Sequence, residues 1–259
     1  MNILCVGDVC GSIGCEAIRR ALPELKARYS IDLTIINGEN SADGNGITPN
    51  SAELLFCYGA DIITGGNHSL RREEVYPLLD SNPCILRPHN LPDVQYGSGY
   101  CLYDMGRQSV AVINLSGKIF LDSLNADNPF SAADLLIGRA KADGAKIIIV
   151  DFHAEATSEK RALGLYLDGH ISVFFGTHTH VQTADEQILP RGTGYITDLG
   201  MTGPKNSVLG VKSEIIISRL KDKNMQKFTL ADGECIINGC VFCVDDATGR
   251  VTDIKRIYI

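Results

Sequence analysis

The sequence contains a series of short apolar runs that each end at polar side chains, and this pattern limits the folds that the chain can adopt. Amphipathic helical patterns separate the runs, and this alternation predicts parallel strands with helices outside the sheet. Because the carboxyl ends of parallel strands meet at one edge, the side chains that follow different runs are expected to converge there. The runs and the residues after them are NILCVG before Asp8, LTIING before Glu39 and Asn40, DIITGG before Asn67 and His68, KIIIVDF before His153, and ISVFFGT before His178 and His180.

The order of the predicted elements changes along the chain. The apolar runs predict strands over residues 2–7, 33–37, 61–64, 99–105, 109–115, 146–152 and 171–175, of which 99–105 and 109–115 are expected to be antiparallel neighbours. Helical periodicity predicts helices over residues 15–29, 49–58, 72–79, 131–142 and 158–167. Residues 200–259 are mostly strand-like, with turn signals at 231–233 and 246–249, which predicts a second, more antiparallel sheet. No linker or internal repeat interrupts the chain, so we expect one domain.

The charge balance limits the classes of partner. Twenty-four Lys and Arg against 31 Asp and Glu give a net charge of −7, without a basic run. Extended nucleic acid and anionic membranes are bound through clustered basic residues, so neither is expected as a partner. No apolar stretch approaches the ~18–20 residues of a membrane span, and the amino-terminal run lacks the basic region of a signal peptide. We therefore expect a cytoplasmic location.

Taken one at a time, the polar residues at the strand ends have ordinary structural explanations. An aspartate after a strand is often a turn former, and a single histidine in a core is usually only hydrogen-bonded. Their joint occurrence predicts a metal site, since four of the six histidines follow strands. His178 and His180 are two residues apart, so in an extended backbone both rings would point to the same side.

The candidate ligands exceed what one ion takes, because a zinc ion binds about four protein ligands in structural sites and about three in catalytic sites. A carboxylate shared by two cations, with a hydroxide between them, would use such a set. The mixture of oxygen and nitrogen donors suits iron, manganese or zinc.

Six segments of the chain together resemble a known family. The segments are GDVCGSIG, GENSADGNGIT, GGNH, DFHAEATSEK, GTHTHVQTADE and TDLGMTGP. They resemble, in the right order and over residues 2–210, the YmdB-like branch of the calcineurin-like metallophosphoesterases. The resemblance implies one metallophosphoesterase domain over residues 1–259, folded as a four-layer α/β sandwich of two mixed sheets flanked by helices. It also implies a dinuclear metal phosphodiesterase that acts on cyclic nucleotides, including 2′,3′-cyclic AMP.

The resemblance also implies which residues form the site. Its motifs assign one metal to Asp8, Glu39, Asn40 and His180, and the other to Glu39, Asn67, His153 and His178. His68 is implied as the proton donor to the leaving oxygen, and Glu39 as the shared ligand. The expected cofactor is a pair of divalent or mixed-valence ions, iron first and manganese or zinc as alternatives. The expected partners are a small cyclic nucleotide or phosphodiester and further copies of this chain.

The sequence departs from the family pattern at two places. Most metallophosphoesterases have a histidine two residues after the first aspartate, whereas this chain has Cys10, a thiol close enough to ligate a metal or to oxidise. After GGNH the family continues with an aromatic and an acidic residue, whereas this chain has Ser69, Leu70, Arg71 and Arg72. His68 is retained, so catalysis is expected to persist while substrate preference near this loop is open.

The expected reaction is attack of the metal-activated hydroxide on phosphorus, with His68 as general acid. Breakage of the 2′ bond, which gives a 3′-phosphate, is implied by the resemblance alone. A phosphomonoesterase or nucleotidase on the same metal pair and a regulatory nucleotide sensor are the alternatives. Dinucleotide binding is disfavoured because Gly7, Gly11 and Gly14 have the spacing G-x3-G-x2-G rather than G-x-G-x-x-G.

Some further residues have two explanations each. Glu155, Thr157 and Lys160 either orient groups of the site or belong to a helix cap. The glycines of residues 198–203 either bring backbone close to a ligand or only form a turn. The Gly65-Gly66 pair is expected to supply the backbone freedom for a turn at Asn67.

Overall fold

The computed structural model describes residues 1–43, 45–92 and 94–259, so Gly44 of the GENSADGNGIT segment lies outside the described residues. The helices are α1 (Gly11–Tyr29), α2 (Pro49–Cys57), α3 (Tyr76–Ser81), α4 (Pro129–Ala142), α5 (Thr157–Leu167) and α6 (Ser213–Asp222). The strands before α5 are β1 (Asn2–Val6), β2 (Asp8–Val9), β3 (Leu33–Asn37), β4 (Ile62–Thr64), β5 (Tyr100–Asp104), β6 (Ser109–Ser116) and β7 (Ile147–His153). The later strands are β8 (Val173–Thr177), β9 (Gln187–Ile188), β10 (Gly194–Ile196), β11 (Met201–Pro204), β12 (Cys235–Ile236), β13 (Asn238–Val244) and β14 (Val251–Tyr258).

The strands form two large mixed sheets and one small sheet. The first has the order β14-β13-β1-β3-β4, with β1, β3 and β4 parallel and the two carboxyl-terminal strands antiparallel. The second has the order β5-β6-β7-β8-β10-β9, with β6, β7, β8 and β10 parallel. The small sheet, β12-β11-β2, carries Asp8, which pairs with Met201. The fold is therefore a mixed α/β arrangement, and the predicted antiparallel pairing of β5 with β6 is confirmed.

The expectation for residues 200–259 is wrong in two respects. The segment from Ser213 to Asp222 is helix α6, although its three consecutive isoleucines favour a strand. Ile215 is the one buried residue of α6, and β propensity is expressed only where a strand finds a partner to pack and pair with. The strands β13 and β14 extend the first sheet beside β1 instead of forming a sheet of their own.

Three buried clusters form the core. One contains residues of both large sheets, among them Ile35 and Ile149. A second packs α4 and α5 on the six-stranded sheet, and a third packs α1 and α2 on the five-stranded sheet. Every residue of β7 is buried, as expected for a central parallel strand covered on both faces. His153 is the last residue of this strand, so the packing of the strand fixes its position.

No helix in the described part of the chain is both long and apolar enough to cross a membrane.

Candidate metal centre

The structure brings the predicted site residues together at the carboxyl ends of the parallel strands of both large sheets. They fall into two groups on either side of Glu39. We call Asn67, His153 and His178 the His153 group, and Asp8, Asn40 and His180 the His180 group.

The His153 group converges on one ring nitrogen. Nε2 of His153 lies 2.8 Å from Oδ1 of Asn67 and 3.0 Å from Nδ1 of His178. The same nitrogen lies 3.4 Å from Oε2 of Glu39. One ligand atom each from Glu39, His153 and His178 lie within 4.8 Å of one another, which is the arrangement expected around a single cation.

The His180 group is more open. Nε2 of His180 lies 3.8 Å from Oδ1 of Asp8 and 3.4 Å from Nδ2 of Asn40. The Asn40 amide also donates to Oε1 of Glu39 at 2.8 Å, while its Oδ1 lies 2.9 Å from Nδ1 of His68. Ligation of a metal by the Asn40 oxygen therefore requires rotation of this amide, which would separate Oδ1 from His68.

Glu39 and His68 lie between the two groups. The buried Glu39 carboxylate presents Oε1 to Asn40 and Oε2 to His153, so each oxygen faces a different group. The backbone N–H of His68 donates to Oε2 of Glu39 at 3.0 Å, and its ring is 23% exposed. The Nε2 atom of His68 has no hydrogen-bond partner within the described ranges, so it is available to a bound molecule.

The second ring nitrogen of each candidate histidine ligand has its own polar neighbour. Nδ1 of His153 lies 2.9 Å from the Thr177 hydroxyl, and Nε2 of His178 lies 3.1 Å from Glu155. Nδ1 of His180 lies 3.2 Å from the Leu209 carbonyl. Partners of this kind orient metal-binding histidines and leave the other nitrogen free for the ion.

We expected His178 and His180 to lie in an extended backbone with both rings on the same side, and this expectation is wrong. Both residues have positive φ, 101° and 64°, in a tight bend after β8. Positive φ in a residue other than glycine is strained and is concentrated at functional positions. The bend sends the two rings to different groups.

Gly66 is required for space rather than for backbone freedom. A turn does follow the pair, since the Gly66 carbonyl accepts the N–H of Ser69 at 3.2 Å, but neither Gly65 nor Gly66 has a positive φ. A Cβ on Gly66 would collide with Oε2 of Glu39 and with the His153 ring. The backbone of this segment therefore packs directly against the candidate ligands.

The electrostatics of the site favour positive charge. Burial raises the pKa of Asp8, against the lowering effect of His180 and His153, and its Oδ1 has no hydrogen-bond donor among the described residues. Burial and then His153 lower the pKa of His178 to about 3, so this ring is neutral, as a ligand must be. Burial alone would raise the pKa of Glu39, but His153 and His68 hold it well below its ordinary value. A buried set of lone pairs that face one another is stabilised by a positive ion.

The segment after His153 orients the site and does not form a side-chain cap. Helix α5 begins after Ala156 without a side-chain capping bond, so the cap interpretation of Thr157 is wrong. The buried Lys160 ammonium donates to Oδ2 of Asp198 at 2.6 Å, and the same oxygen accepts the N–H of Thr179 at 3.1 Å. This pair therefore holds the bend between His178 and His180.

Residues 198–203 position Asp8 through backbone contacts. The carbonyl of Gly200 accepts the N–H of Asp8 at 3.1 Å, and a Cβ on Gly7 would collide with that carbonyl. The missing Cβ of Gly7 permits this close approach of two backbones, and Gly200 has a φ of 79° that favours glycine.

The two departures from the family pattern lie at the edge of the site. Cys10 Sγ is 3.8 Å from Nδ1 of His180, the nitrogen that faces away from Asp8, so the thiol packs behind the ring. Arg72 donates to the carbonyls of Asp43 and Asn45 at 2.8 and 3.2 Å and ties the His68 turn to the loop after Asn40. The Arg71 side chain is exposed beside it.

A buried polar layer, not expected from the sequence, lies directly below the candidate ligands. Its members each stand one to three positions before a candidate ligand, which is the signal that could have revealed them; they are Asn37, Thr64, Asp151 and Thr177. Burial raises the pKa of Asp151 to about 7.

Comparison with known proteins identifies relatives along the full chain. A 2′,3′-cyclic-nucleotide 2′-phosphodiesterase of Bacillus subtilis (strain 168) is 47% identical over 259 residues, covering 100% of this chain and 97% of that protein. The crystal structure of a hypothetical protein from Thermus thermophilus is 39% identical with a TM-score of 0.92, covering 100% and 99% of the two chains. That of a novel phosphatase from Mycoplasma pneumoniae is 34% identical with a TM-score of 0.95, covering 100% and 93%.

The family model for YmdB-like proteins matches residues 4–257, nearly the whole chain. The relatives described above are similar to this chain over its full length, in sequence and, for the two crystal structures, in fold. The chain belongs to the YmdB-like protein family.

Proposed function

We propose that this chain is a metal-dependent phosphodiesterase that hydrolyses 2′,3′-cyclic nucleotides at the 2′ bond and releases the 3′-phosphate. The observation that carries the proposal is the placement of Glu39, whose two carboxylate oxygens face different groups of candidate ligands. A relative with 47% identity over the full chain bears the name of this activity.

The residues present fit a pair of cations, one for each group, with Glu39 shared between them. When bound, the two ions would lower the pKa of a water molecule for attack on phosphorus and neutralise the phosphoryl oxygens. The amides of Asn40 and Asn67 would contribute oxygen ligands without adding negative charge, which keeps the site attractive to a phosphate ester. Iron is the proposed metal, with manganese or zinc as alternatives.

His68 is proposed to protonate the leaving 2′ oxygen. With a proton on each nitrogen, Nε2–H points to the partly exposed side of the ring. Nδ1–H faces Oε1 of Glu39 at 3.4 Å, and it donates to Oδ1 of Asn40 only until that amide rotates to ligate a metal. As the bond from phosphorus to the 2′ oxygen breaks, the Nε2 proton would pass to that oxygen. General acids of this kind contribute about 10²–10⁴-fold to a rate.

The four-layer order and the single domain over residues 1–259 are part of the proposal. The core cluster that contains residues of both large sheets supports two sheets packed face to face. The two other clusters support helices on the outer face of each sheet. The homo-oligomer and the cytoplasmic location expected from the sequence stay predictions.

The test is metal analysis of anaerobically purified protein, followed by assay of 2′,3′-cyclic AMP with ³¹P NMR of the product. We expect about two ions per chain and 3′-AMP as the product. A metal-loaded protein without turnover of 2′,3′- or 3′,5′-cyclic nucleotides would reject the proposal and favour a nucleotide sensor.

A phosphomonoesterase is the second candidate, because relatives from Mycoplasma pneumoniae carry phosphatase in their names. Parallel assays with 3′-AMP and 2′,3′-cyclic AMP separate the two activities. Faster release of inorganic phosphate from 3′-AMP than cleavage of the cyclic diester would favour the monoesterase.

A further inference from the structure

Asp151 is the centre of the buried polar layer below the candidate ligands. Its Oδ1 accepts the Thr177 hydroxyl at 2.7 Å. Its Oδ2 accepts the Asn37 amide at 3.1 Å and the Thr64 hydroxyl. All four side chains are fully buried. Asn37 and Thr64 end strands β3 and β4 of one large sheet, while Asp151 and Thr177 lie on β7 and β8 of the other, so a single carboxylate links the two sheets.

Each residue of this layer stands close to a candidate ligand along the chain. Asn37 precedes Glu39 by two positions, and its Oδ1 accepts the N–H of Glu39 at 3.2 Å. Asp151 precedes His153 by two positions, and Thr177 directly precedes His178. The carboxylate of Asp151 therefore sets the relative position of strand ends that carry ligands from both sheets.

The direction of the hydrogen bonds fixes the His153 ring. The Thr177 hydroxyl has one proton and donates it to Oδ1 of Asp151 at 2.7 Å, so its oxygen can only accept in any further hydrogen bond. The hydroxyl oxygen must then accept from Nδ1–H of His153, at 2.9 Å. This bond keeps the proton on Nδ1 and leaves the Nε2 lone pair directed at Asn67, His178 and Glu39.

We propose that Asp151, acting through Thr177, is a positioning residue that holds His153 in the Nδ1–H form with Nε2 directed at a metal ion. This role rests on the proposed function only in taking His153 as a ligand. Asp151 and Thr177 are fully buried and are not among the candidate metal ligands.

The test compares two substitutions of Thr177 with a matched control. Thr177→Val removes the hydroxyl at nearly constant volume, and Thr177→Ser retains it. Thr34→Val is the control, because Thr34 is another fully buried strand threonine and its hydroxyl has no partner among the described residues. The probe is Mn²⁺ alone, measured as ions bound per chain in equilibrium dialysis.

We expect Thr177→Val to weaken Mn²⁺ binding at the tighter of the two ions by about 10–100-fold, the usual effect of losing a partner of a metal-binding histidine. Thr177→Ser should bind within a few fold of wild type, and Thr34→Val should match wild type. Wild-type affinity in Thr177→Val, or an equal loss in the serine and valine variants, would overturn the positioning role.

A second measurement does not depend on any variant folding. In ¹H–¹⁵N NMR of the Zn²⁺-loaded wild type, His153 should carry its proton on Nδ1, slowly exchanging with water. A proton on Nε2 would overturn the proposal.

His153→Ala separates this proposal from the proposed function. Loss of one Mn²⁺ in His153→Ala with wild-type binding in Thr177→Val would reject the positioning role alone. Wild-type Mn²⁺ binding in His153→Ala would reject the ligand assignment itself, and the positioning role with it.

Discussion

The two halves of the candidate site are built on different kinds of support. His153 is fully buried at the end of a central strand, and its ring is held by the hydroxyl of Thr177 on the neighbouring strand. His180 lies in the bend that it shares with His178 of the His153 group, and it is held by the carbonyl of Leu209, an exposed loop residue with φ of 53°. Asp8 of the same group lies on a two-residue strand of the small sheet.

The two kinds of support differ in how far they preorganise the site. Side chains at the ends of packed central strands are fixed by the core, whereas loops open locally at lower free-energy cost. The His153 group is therefore expected to hold its cation tightly, and the His180 group to exchange its cation more readily. Glu39, between the groups, is expected to affect both.

The largest effect is expected from Glu39→Gln, which tests whether the two groups share a ligand. The neutral amide should empty both groups and lower turnover of 2′,3′-cyclic AMP by roughly 10⁴-fold, because each cation supplies several kcal/mol of charge stabilisation. Metal analysis and kcat/KM check this, with Glu53→Gln on the exposed face of α2 as the control. Two ions per chain with normal activity would exclude a bridging Glu39.

The next largest effect is expected on stability from Lys160→Met, since the Lys160–Asp198 pair supports the bend that joins the two groups. The variant leaves the Asp198 carboxylate buried without its counter-charge, which should cost about 3–5 kcal/mol of unfolding free energy. Lys205→Met, which breaks an exposed pair with Glu234, should change stability by less than about 0.5 kcal/mol. Urea denaturation measures both, and similar values for the two variants would contradict the role of the buried pair.

His68→Ala tests whether the residue between the groups is an acid or a ligand. We expect both ions to remain and activity on 2′,3′-cyclic AMP to fall by about 10²–10³-fold, because a ribose alkoxide is a poor leaving group. Bis-p-nitrophenyl phosphate, whose leaving group needs little protonation, should lose less than about tenfold. His170→Ala, at an exposed histidine, is the control. Equal losses on both substrates, or loss of an ion, would make His68 a ligand or a positioning group.

The smallest effect is expected in the wild type, where the affinities of the two ions should differ by about tenfold. This is the lower end of the change in metal affinity that the hydrogen-bond partners of a ligand usually cause. A chelator should remove Mn²⁺ in two phases. His180→Ala should abolish the faster phase, and His153→Ala should abolish the slower one. A single phase, or the opposite assignment, would mean that burial at the strand ends does not set the affinity.

Much of the site could be predicted because its residues follow apolar runs, and each run can be recognised from local sequence alone. Asp8, Glu39, Asn67 and His153 come directly after such runs, and parallel strands place their ends at one edge. The side-chain partners of the histidines could not be predicted in this way. Glu155 was named as a residue that could orient the site, but its partner His178 was not identified. Leu209 reaches His180 from a distant loop, and no local pattern relates these two residues.

The alternation of strands and helices and the types of side chain at the strand ends follow from local sequence, because both depend on residues that are neighbours along the chain. Three features depend on contacts between distant segments: β13 and β14 extend the first sheet, residues 213–222 form a helix, and the bend at His178 and His180 divides the two rings between two groups. These outcomes depend on pairing, packing and backbone strain between segments far apart in sequence. Local propensity specifies such contacts only weakly.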